Sequence, residues 1–404
     1  MAFLLPAATA FLAGVASAQS LPDQAQVIDQ LSFNVLENVP PPAEVNSTTL
    51  FVPAGLTAQS AYDKPFHVYH EDFLDIIGSN PTLTLVARTD SDPLFHEAVV
   101  WYPPTDEMFF VQNAGAMAAG TGLNKSAIIQ KIALAEADAV SSLRNASGLV
   151  TVTTVPSNPM VINPNGATNY RGEIMYMGEG QGEDIAPSIY VMNPLPPYNT
   201  TVVLNNYFGR QFNSLNDVVI HPVTKDVYFT DTWYGYLQDF RPPLGLPNQV
   251  YRMTPSTGAV TVVADQFVSP NGLTFSPNGS YAYVTDTGSA LGFYGTNQSA
   301  PSTIYRFAVS PTTGKFSDQT VFAFPSPGFP DGVHCDTNGN VYSGCGDGVQ
   351  VWNPEGVLIG KIFTGTTAAN FAFGGQGRMV ICGETELYYA TLGATGAVVR
   401  GQMS

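Results

Sequence analysis

Four residues with oxygen-bearing side chains stand at equivalent places in the sequence, each at the start of a short apolar segment. They are two carboxylates and two amides, Glu97, Asn216, Asn271 and Asp331. Such oxygens are the ligands that a hard cation like calcium prefers, with water completing the coordination sphere. Neither Cys nor His stands at these places, which argues against a soft transition metal. The pattern predicts a calcium site, with another divalent cation as the alternative.

A simpler interpretation applies to two of the four residues. Pro270-Asn271-Gly272 and Pro330-Asp331-Gly332 are also typical of turns, where Asn and Asp before Gly are common. Turn formation does not account for Glu97, nor for the place that all four residues share in the repeat. The metal site is therefore the favoured interpretation.

An internal repeat indicates which elements position these side chains. From about residue 82 the chain consists of short β-rich runs separated by turn residues. Three clear copies begin at Ser214, Ser269 and Phe329, and each has an Asn or Asp before an apolar strand, a turn and a second strand rich in Tyr, Val or Phe. Third and fourth strands follow in each copy. Four strands in a unit of about 50 residues are typical of a propeller blade.

The same template fits three further stretches, which gives six blades. Blade 1 begins at Glu97, blade 2 includes residues 172–177 and 188–192, and blade 6 runs from Phe371 to Ala390. Blade 6 lacks room for a full fourth strand, and residues 82–88 are available to complete it. We therefore expect an all-β, six-bladed propeller over residues 81–404, closed by an N-terminal strand, which leaves no free sheet edge.

Helical periodicity is nearly absent, and residues 126–143 are the best candidate for a short helix or a loop insertion. In a propeller the first strand of each blade lines the central channel. The four oxygen donors should therefore converge on one mouth of that channel and form a central metal site.

Composition excludes one class of partner. The chain has 404 residues and a net charge of -17, with only 12% charged residues. Nucleic-acid binding requires a basic face to replace the counterions of the phosphates, and this chain is strongly acidic. No apolar run approaches the ~20 residues needed to span a membrane. We expect neither nucleic acid nor membrane as a partner, and the oligomeric state is open.

The N-terminus is typical of an exported protein. An apolar run is followed by Ala16-Ser17-Ala18, which predicts a signal peptide over residues 1–18, and residues 19–80 form an extension of unassigned role. Six N-x-Ser/Thr sequons predict a secreted, extracellular glycoprotein. They begin at Asn46, Asn124, Asn145, Asn199, Asn278 and Asn297.

Three cysteines allow at most one disulfide. Cys335 should pair across its hairpin with Val341, which places Cys345 about 13 Å away along the strand and beyond disulfide reach. Cys345 and Cys382, at matching ends of second strands in adjacent blades, are the better candidates for a bridge.

The motifs resemble those of the gluconolactonase/regucalcin (senescence-marker protein) propellers from about residue 90 to residue 390. The similarity is strongest at Asn216-Asp217, at Ser269–Phe275 and at Pro330–Asp336, and it is greatest to the fungal-type, aldonolactonase-like secreted lactonohydrolases. The resemblance implies one divalent metal on Glu97, Asn271 and Asp331, with Asn216 at the metal or on the substrate. It also implies that Asp331 is the general base. Ser214 stands where the family carries a sugar-binding Arg.

The function expected from these residues is calcium-dependent hydrolysis of an aldonolactone-like or other small lactone to the hydroxy acid. A cation would polarise the carbonyl and Asp331 would accept a proton from water, with Asn216 assisting. No Gly-x-Ser-x-Gly elbow is present, which disfavours an acyl-enzyme. His334 is expected to be structural, and Asp231 and Asp286 to cap turns. The expected substrate-binding residues are His96, Asp217, Trp233 and Tyr234.

Three alternatives remain open at this stage. The first is a paraoxonase-like esterase on the same propeller, and the second is a strictosidine-synthase-like enzyme without the metal. The third is a ligand-binding propeller that has no activity and in which calcium is structural.

Overall fold

Runs of Val, Ile, Tyr and Phe, interrupted by Gly, Pro and Asn, form 26 strands in the part of the chain that a computed structural model describes, residues 21–53, 55–113, 128–143 and 149–397. The N-terminal elements are β1 (Ala25–Val27), a 3₁₀ helix (Gln30–Phe33), α1 (Ala58–Asp63), β2 (Phe66–Val68), α2 (Asp72–Ile77) and β3 (Thr82–Arg88). Predicted signal residues 1–18 lie outside the described residues.

Blades 1 to 3 follow in chain order. Their elements are β4 (Glu97–Tyr102), β5 (Glu107–Val111), β6 (Ile129–Ala133), α3 (Leu134–Ser141), β7 (Thr153–Val155), β8 (Pro164–Tyr170), β9 (Glu173–Gly178), β10 (Ser188–Met192), β11 (Thr200–Leu204), β12 (Leu215–Ile220), β13 (Val227–Asp231), α4 (Tyr234–Leu237), β14 (Gln249–Thr254) and β15 (Ala259–Ala264).

Blades 4 to 6 complete the chain. Their elements are β16 (Pro270–Phe275), β17 (Tyr281–Asp286), a 3₁₀ helix (Gly292–Tyr294), β18 (Thr303–Val309), β19 (Phe316–Ala323), β20 (Val333–Cys335), β21 (Val341–Cys345), β22 (Gly348–Trp352), β23 (Leu358–Phe363), β24 (Asn370–Phe373), β25 (Gln376–Gly383) and β26 (Glu386–Thr395).

Each blade is built on an antiparallel sheet. In blades 1 to 4 the four strands lie in sequence order, whereas the sheets of blades 5 and 6 also contain strands from the N-terminal segment. The innermost strands β4, β8, β12, β16, β20 and β24 begin the six sheets, and strands of neighbouring blades contact one another all the way round, with β24 returning to β4. The predicted six-bladed β-propeller is therefore confirmed. Residues 126–143 were expected to form a short helix or a loop insertion, and α3 is that helix. The expectation missed β6, which precedes α3 because Ile129 and Ile132 are buried in the third strand of blade 1.

Two segments before residue 89 add strands to blades that are far away in sequence. β3 pairs antiparallel with β26, from Arg88 opposite Glu386 to Thr82 opposite Thr391, and is the fourth strand of the blade 6 sheet. β2 pairs antiparallel with β23, and β1 pairs parallel with β2, so the blade 5 sheet has six strands. The extension thus covers the outer edge of blade 5.

Apolar layers between neighbouring blades form the core, and they explain why the expected disulfide is absent. Cys335 pairs with Val341 as predicted. All three cysteines are free and buried, however, so the expected Cys345–Cys382 bridge is wrong. Cys345 packs with Tyr283 between blades 4 and 5, whereas Cys382 packs in a different layer, between blades 6 and 1.

The described sequon asparagines Asn46, Asn199, Asn278 and Asn297 are exposed, as glycosylation requires. Asn124 and Asn145 lie outside the described residues. Within residues 21–397, apart from the gaps named above, no helix has the length and apolar character needed to cross a membrane.

Candidate active site and metal centre

One end of the innermost strands opens into a cavity of about 320 Å³. The four oxygen donors predicted from the sequence, Glu97, Asn216, Asn271 and Asp331, all line this cavity, although they come from four blades. Glu97, Asn216 and Asn271 are at most 5% exposed. The sequence prediction that these side chains meet at one mouth is consistent with this geometry.

Two buried aspartates fix the backbone directly before the amide donors. Asp231 Oδ1 accepts hydrogen bonds from the backbone N–H of Asn213 (2.9 Å) and of Ser214 (2.8 Å), two residues before Asn216. Asp286 Oδ1 accepts one from Ser269 N–H (2.8 Å), two residues before Asn271. The prediction that these aspartates cap turns is confirmed. They act at the site indirectly, by holding the loops that present the amides.

Glu97 is not at the same register position as Asn271. In blade 1, Glu97 lies opposite Val111 at the strand bulge. The residue in the same register position of blade 4 is Pro270, which lies opposite Asp286. Glu97 therefore stands one residue earlier in its strand than Asn271 does. The longer side chain of Glu97 still reaches the cavity. All four donors therefore lie at the starts of the inner strands, but the register position of Glu97 differs from that of Asn271.

Close packing of the innermost strands explains the glycine that follows two of the donors. A Cβ on Gly272 would collide with the backbone oxygen of Asp331, and one on Gly332 would lie about 2.5 Å from Cγ of Asn370. Glycine at these places lets neighbouring strands approach, which brings Asn271, Asp331 and Asn370 towards the same axis.

The electrostatics of the donors suit a cation. Burial raises the pKa of Glu97 well above its ordinary value, and the nearby charge of Asp331 raises it further. Burial also raises the pKa of Asp331, while His96 lowers it. Asn216 Oδ1 and Asp331 Oδ1 are buried and have no hydrogen-bond partner among the described residues. Two adjacent carboxylates and two unpaired buried oxygens fit a hard divalent cation.

This donor set differs from a cluster of acidic or imidazole ligands. In the described part of the chain, no group of three or more His, Cys, Asp or Glu side chains is arranged to hold a metal. The set contains only two carboxylates, and amide oxygens of Asn216 and Asn271 make up the remainder. Mixed carboxylate and carbonyl oxygens are ordinary ligands for calcium.

Two asparagines at the site escaped the sequence prediction. Asn165 lines the cavity, and Asn370 donates a hydrogen bond of 2.5 Å from Nδ2 to Glu97 Oε2. A signal for both was present, because Pro164-Asn165-Gly166 repeats the tripeptide around Asn271 and Asn370 precedes the first apolar strand of blade 6. With them, all six blades contribute one such side chain at the inner strand ends.

A histidine–glutamate pair forms one wall of the cavity. His96 Nδ1 lies 2.8 Å from Glu384 Oε1, and both side chains line the cavity. Burial by itself lowers the pKa of His96, but the charge and the hydrogen bond of Glu384, together with Glu97 and Asp331, raise it to about 10. Glu384 was not anticipated from the sequence, since it lies in the hairpin of blade 6, far from His96 along the chain.

The other expected substrate-binding residues divide into two groups. Tyr234 lines the cavity, and its hydroxyl donates to Thr287 O at 3.0 Å. Trp233 is not among the lining residues, and its Nε1 donates to Ser269 Oγ at 2.5 Å. Asp217 does not line it either, since its two oxygens accept from the backbone N–H of Val218 and Leu273, both at 2.8 Å. Neither Trp233 nor Asp217 is among the residues that line the cavity, so their role in substrate binding stays a prediction, while Asp217 ties blade 3 to blade 4.

Loops after the second strands of blades 3 and 4 cover the cavity. Tyr234 and Gln238 come from the α4 loop, and Gly292 and Thr296 come from the blade 4 loop. The two loops are joined by a hydrogen bond of 2.7 Å from Tyr294 to Asp239. A cavity of this size has room for a small ligand, with several polar side chains in its walls.

His334 points away from this cavity. It lines a separate small cavity with Trp101 and Ala167, and its Nε2 lies 3.4 Å from Asn370 Oδ1. Burial lowers the pKa of His334 to about 4. These contacts agree with the structural role expected from strand alternation.

The fold and the site together define a six-bladed propeller with an oxygen-lined central cavity. Residues 135–382 match the family described as the SMP-30/Gluconolactonase/LRE-like region, which is more than half of the chain. The chain belongs to this family, as its sequence motifs indicated.

Curated relatives and solved structures agree with this assignment. The lactonohydrolase oryL of Aspergillus oryzae is 28% identical over 75% of this chain and 68% of its own length. Lactonohydrolase oryH of the same organism is 25% identical over 81% of this chain and 80% of its own. These relatives are hydrolases named for lactones.

Solved structures are similar in fold. A gluconolactonase from Xanthomonas campestris has a TM-score of 0.62 at 22% identity, over 81% of this chain and 94% of that one. A regucalcin from Agrobacterium tumefaciens, described as a calcium-binding protein, has a TM-score of 0.52 at 15% identity, over 77% of this chain and 95% of that one.

Proposed function

We propose that this chain hydrolyses a small lactone to its hydroxy acid with water, at a calcium ion held in the central cavity. The observation that carries the proposal is the convergence of Glu97, Asn216, Asn271 and Asp331 in one cavity. The lactonohydrolase relatives support the choice of a lactone as substrate.

The residues that would hold the cation are Glu97, Asn271 and Asp331, with Asn216 at the metal or at the substrate. The two carboxylates balance the charge of a divalent ion, and the unpaired Oδ1 atoms of Asn216 and Asp331 supply further donors. When bound, the ion polarises the carbonyl of the substrate and stabilises the oxyanion that forms as water adds.

The protein's own groups carry the proton and orient the substrate. Asp331 accepts the proton of the attacking water, because its carboxylate lies in the cavity beside the proposed cation and has a second oxygen in addition to the one that would bind the ion. Tyr234 and the loops above it enclose a small ring and limit the water that reaches it. Ser214 donates to Glu179 Oε1 at 2.6 Å, so the position that carries a sugar-binding Arg in similar proteins is here part of a buried hydrogen bond. We expect a substrate other than the one that this Arg recognises.

The test is hydrolysis of a panel of 1,4- and 1,5-lactones by the purified chain, with calcium and after treatment with a chelator. Acid release that needs calcium supports the proposal. Activity on linear aryl esters that exceeds activity on lactones would favour the esterase alternative. Tight lactone binding without turnover would favour the ligand-binding alternative, and turnover that is indifferent to metal would contradict the calcium site.

We further propose that the chain is exported and glycosylated. The small-x-small motif at Ala16-Ser17-Ala18 and the exposure of Asn46, Asn199, Asn278 and Asn297 support this proposal. Expression in a eukaryotic secretory host should give protein in the medium that begins after Ala18 and loses mass on deglycosylation. Retention of an intact N-terminus would contradict it.

A further inference from the structure

Asn165, which the sequence prediction did not include, occupies the same register position as Asn216 and Asn271. In blades 2, 3 and 4 the residue directly before the asparagine pairs with the end of the second strand, and a bulge follows. These pairs are Pro164 with Gly178, Leu215 with Asp231, and Pro270 with Asp286. The three asparagines are therefore equivalent in structure and lie at the same end of the inner strands.

The inner strand of Asn165 also approaches its neighbour as closely as the strand of Asn271 does. A Cβ on Gly166 would collide with the backbone oxygen of Asn216, just as one on Gly272 would collide with the backbone oxygen of Asp331. Glycine allows this approach because it has no side chain. Asn165 therefore lies beside Asn216 in the ring of inner strands, as Asn271 lies beside Asp331.

The side-chain oxygen of Asn165 is buried and unpaired. Asn165 lines the cavity, is 8% exposed, and has no hydrogen-bond partner for Oδ1 among the described residues. Among the described residues that line the cavity, the other buried side-chain oxygens without a partner are Oδ1 of Asn216 and Oδ1 of Asp331. A buried polar atom without a partner is unfavourable. Three such oxygens around one cavity indicate a single ligand that accepts electron pairs from all of them.

A buried carboxylate lies on the other side of this amide. Asn165 Nδ2 donates a long hydrogen bond of 3.5 Å to Glu179 Oε2, and Ser214 Oγ donates to Glu179 Oε1 at 2.6 Å. Glu179 is itself fixed by its backbone N–H, which donates to Asn163 O at 2.9 Å. The nitrogen of the Asn165 amide therefore faces Glu179, and its oxygen faces the cavity.

A cation fits the Asn165 oxygen better than a hydroxyl of the substrate does. Solvent does not reach Oδ1, so a hydroxyl, which is as large as a water molecule, would first have to displace protein atoms. Calcium takes about 6–8 oxygen ligands at about 2.3–2.6 Å, closer than most hydrogen-bonded oxygens approach one another. Glu97 and Asp331 already balance the charge of a divalent ion, so a further ligand should be neutral, as an amide is.

We propose that Asn165 Oδ1 is a further ligand of the cation and that it favours calcium over magnesium. This inference rests on the proposed metal site. The cation then has up to five protein ligands, from Glu97, Asn165, Asn216, Asn271 and Asp331. Calcium accepts a large and irregular set of ligands and keeps positions for water and for the substrate carbonyl. Magnesium requires near-ideal octahedral geometry and retains several waters, so it gains less from this set.

Calorimetry of the purified full chain with calcium and with magnesium tests this assignment. Removal of a group that merely orients a metal ligand typically costs about 10–100-fold in affinity, so Asn165→Ala should raise the calcium Kd by at least about tenfold. The magnesium Kd should rise less. Asn169→Ala is the matched control, because Asn169 lies on the same strand, is also 8% exposed, and donates to Trp101 O at 3.0 Å beside a separate cavity. It should leave both Kd values unchanged.

Two further variants separate a ligand from a residue that only fills space. Asn165→Leu keeps the approximate size of the side chain but has no oxygen, and it should lose as much calcium affinity as Asn165→Ala. Asn165→Asp combined with Glu179→Gln keeps an oxygen at position 165, a donor at position 179 and the total charge. This double variant should recover the affinity that Asn165→Ala loses. The melting temperature reports whether each variant is folded.

A crystal structure of the unaltered protein with calcium needs no variant. A distance of about 2.3–2.6 Å from the ion to Asn165 Oδ1 supports the inference. An Oδ1 that hydrogen-bonds to water or to the protein, out of reach of the ion, overturns it. Unchanged calcium affinity in folded Asn165→Ala and Asn165→Leu also overturns it, while the metal site and lactone hydrolysis remain in place. If the unaltered protein binds no calcium, the metal site of the proposed function fails as well.

Discussion

Asn370 of blade 6 donates a hydrogen bond of 2.5 Å to Glu97 of blade 1. Asn370 Oδ1 in turn accepts from Phe371 N–H at 2.7 Å and lies 3.4 Å from His334. Glu97 is buried, so this amide decides where the carboxylate points. The last blade therefore orients, in the first blade, a carboxylate of the proposed metal site.

Replacement of Asn370 should weaken calcium binding although Asn370 itself need not touch the ion. Groups that orient a metal ligand typically contribute about 10–100-fold in affinity. We expect Asn370→Ala to raise the calcium Kd by that factor in calorimetry. Asn340→Ala removes an amide that donates to Asp336 at the far turn of blade 5, and it should leave the Kd unchanged. Equal affinities for Asn370→Ala and the unaltered protein would contradict this positioning role.

Asp331→Asn should separate metal binding from turnover. The amide keeps an oxygen for the ion but cannot accept a proton, and loss of a general base typically costs about 10²–10⁴-fold in rate. Asn216→Ala should affect calcium affinity less and turnover or KM more. His334→Ala should be mild.

Acid release from a lactone at saturating calcium measures all three variants. Near-normal turnover by Asp331→Asn would remove Asp331 as the base. An inactive but folded His334→Ala would move that role to the histidine.

The pairing of β3 with β26 should contribute to the stability of the whole ring. Val86 of β3 is fully buried among residues that include Leu387 and Tyr389 of β26. Val86→Ala should lower the free energy of unfolding by about 2 kcal/mol, because it removes buried apolar surface and leaves a cavity. Val202→Ala, on the corresponding outer strand of blade 2 but 46% exposed, should cost less than about 0.5 kcal/mol. Denaturant unfolding measures both, and equal costs would argue against closure through β3.

Acid should destabilise the N-terminal extension through His67. Burial lowers the pKa of His67 to about 4, and its ring stacks on Phe363 of blade 5. In the unfolded chain His67 binds its proton at a higher pH than in the folded protein. The free energy by which neutral, buried His67 favours the folded state is therefore fully present above pH ~6.5, and it is lost as the pH falls through about 4. The free energy of unfolding of the unaltered protein should therefore fall more steeply than that of His67→Gln, by no more than about 3 kcal/mol across this interval. Parallel pH profiles would contradict the assignment.

The sequence predicts the repeat because each strand carries its own local pattern of apolar and turn residues. For the same reason Glu97, Asn216, Asn271 and Asp331 could be found at the starts of the inner strands. The sequence could not predict which residues of different blades contact one another. The partnership of His96 with Glu384 depends on the meeting of the first and last blades, which no local pattern encodes.

Side chains that satisfy the backbone were also hard to foresee. Asp217 directly follows Asn216, and only the three-dimensional arrangement reveals that it accepts from the backbone N–H of Leu273 in the next blade. Cys345 and Cys382 both stand near the ends of second strands, but the register offsets them by one residue, so their side chains face different apolar layers. Similar position in a repeat therefore predicts which end of a strand a side chain occupies better than it predicts its partner.

The central claim is that one calcium ion lies among Glu97, Asn271 and Asp331. A crystal structure of the calcium-soaked protein, with the anomalous signal of the metal recorded, tests it most directly. We expect a single anomalous peak in the cavity with side-chain oxygens of all three residues at about 2.3–2.6 Å. No peak there at saturating calcium, or a peak whose ligands exclude these three side chains, would contradict the account.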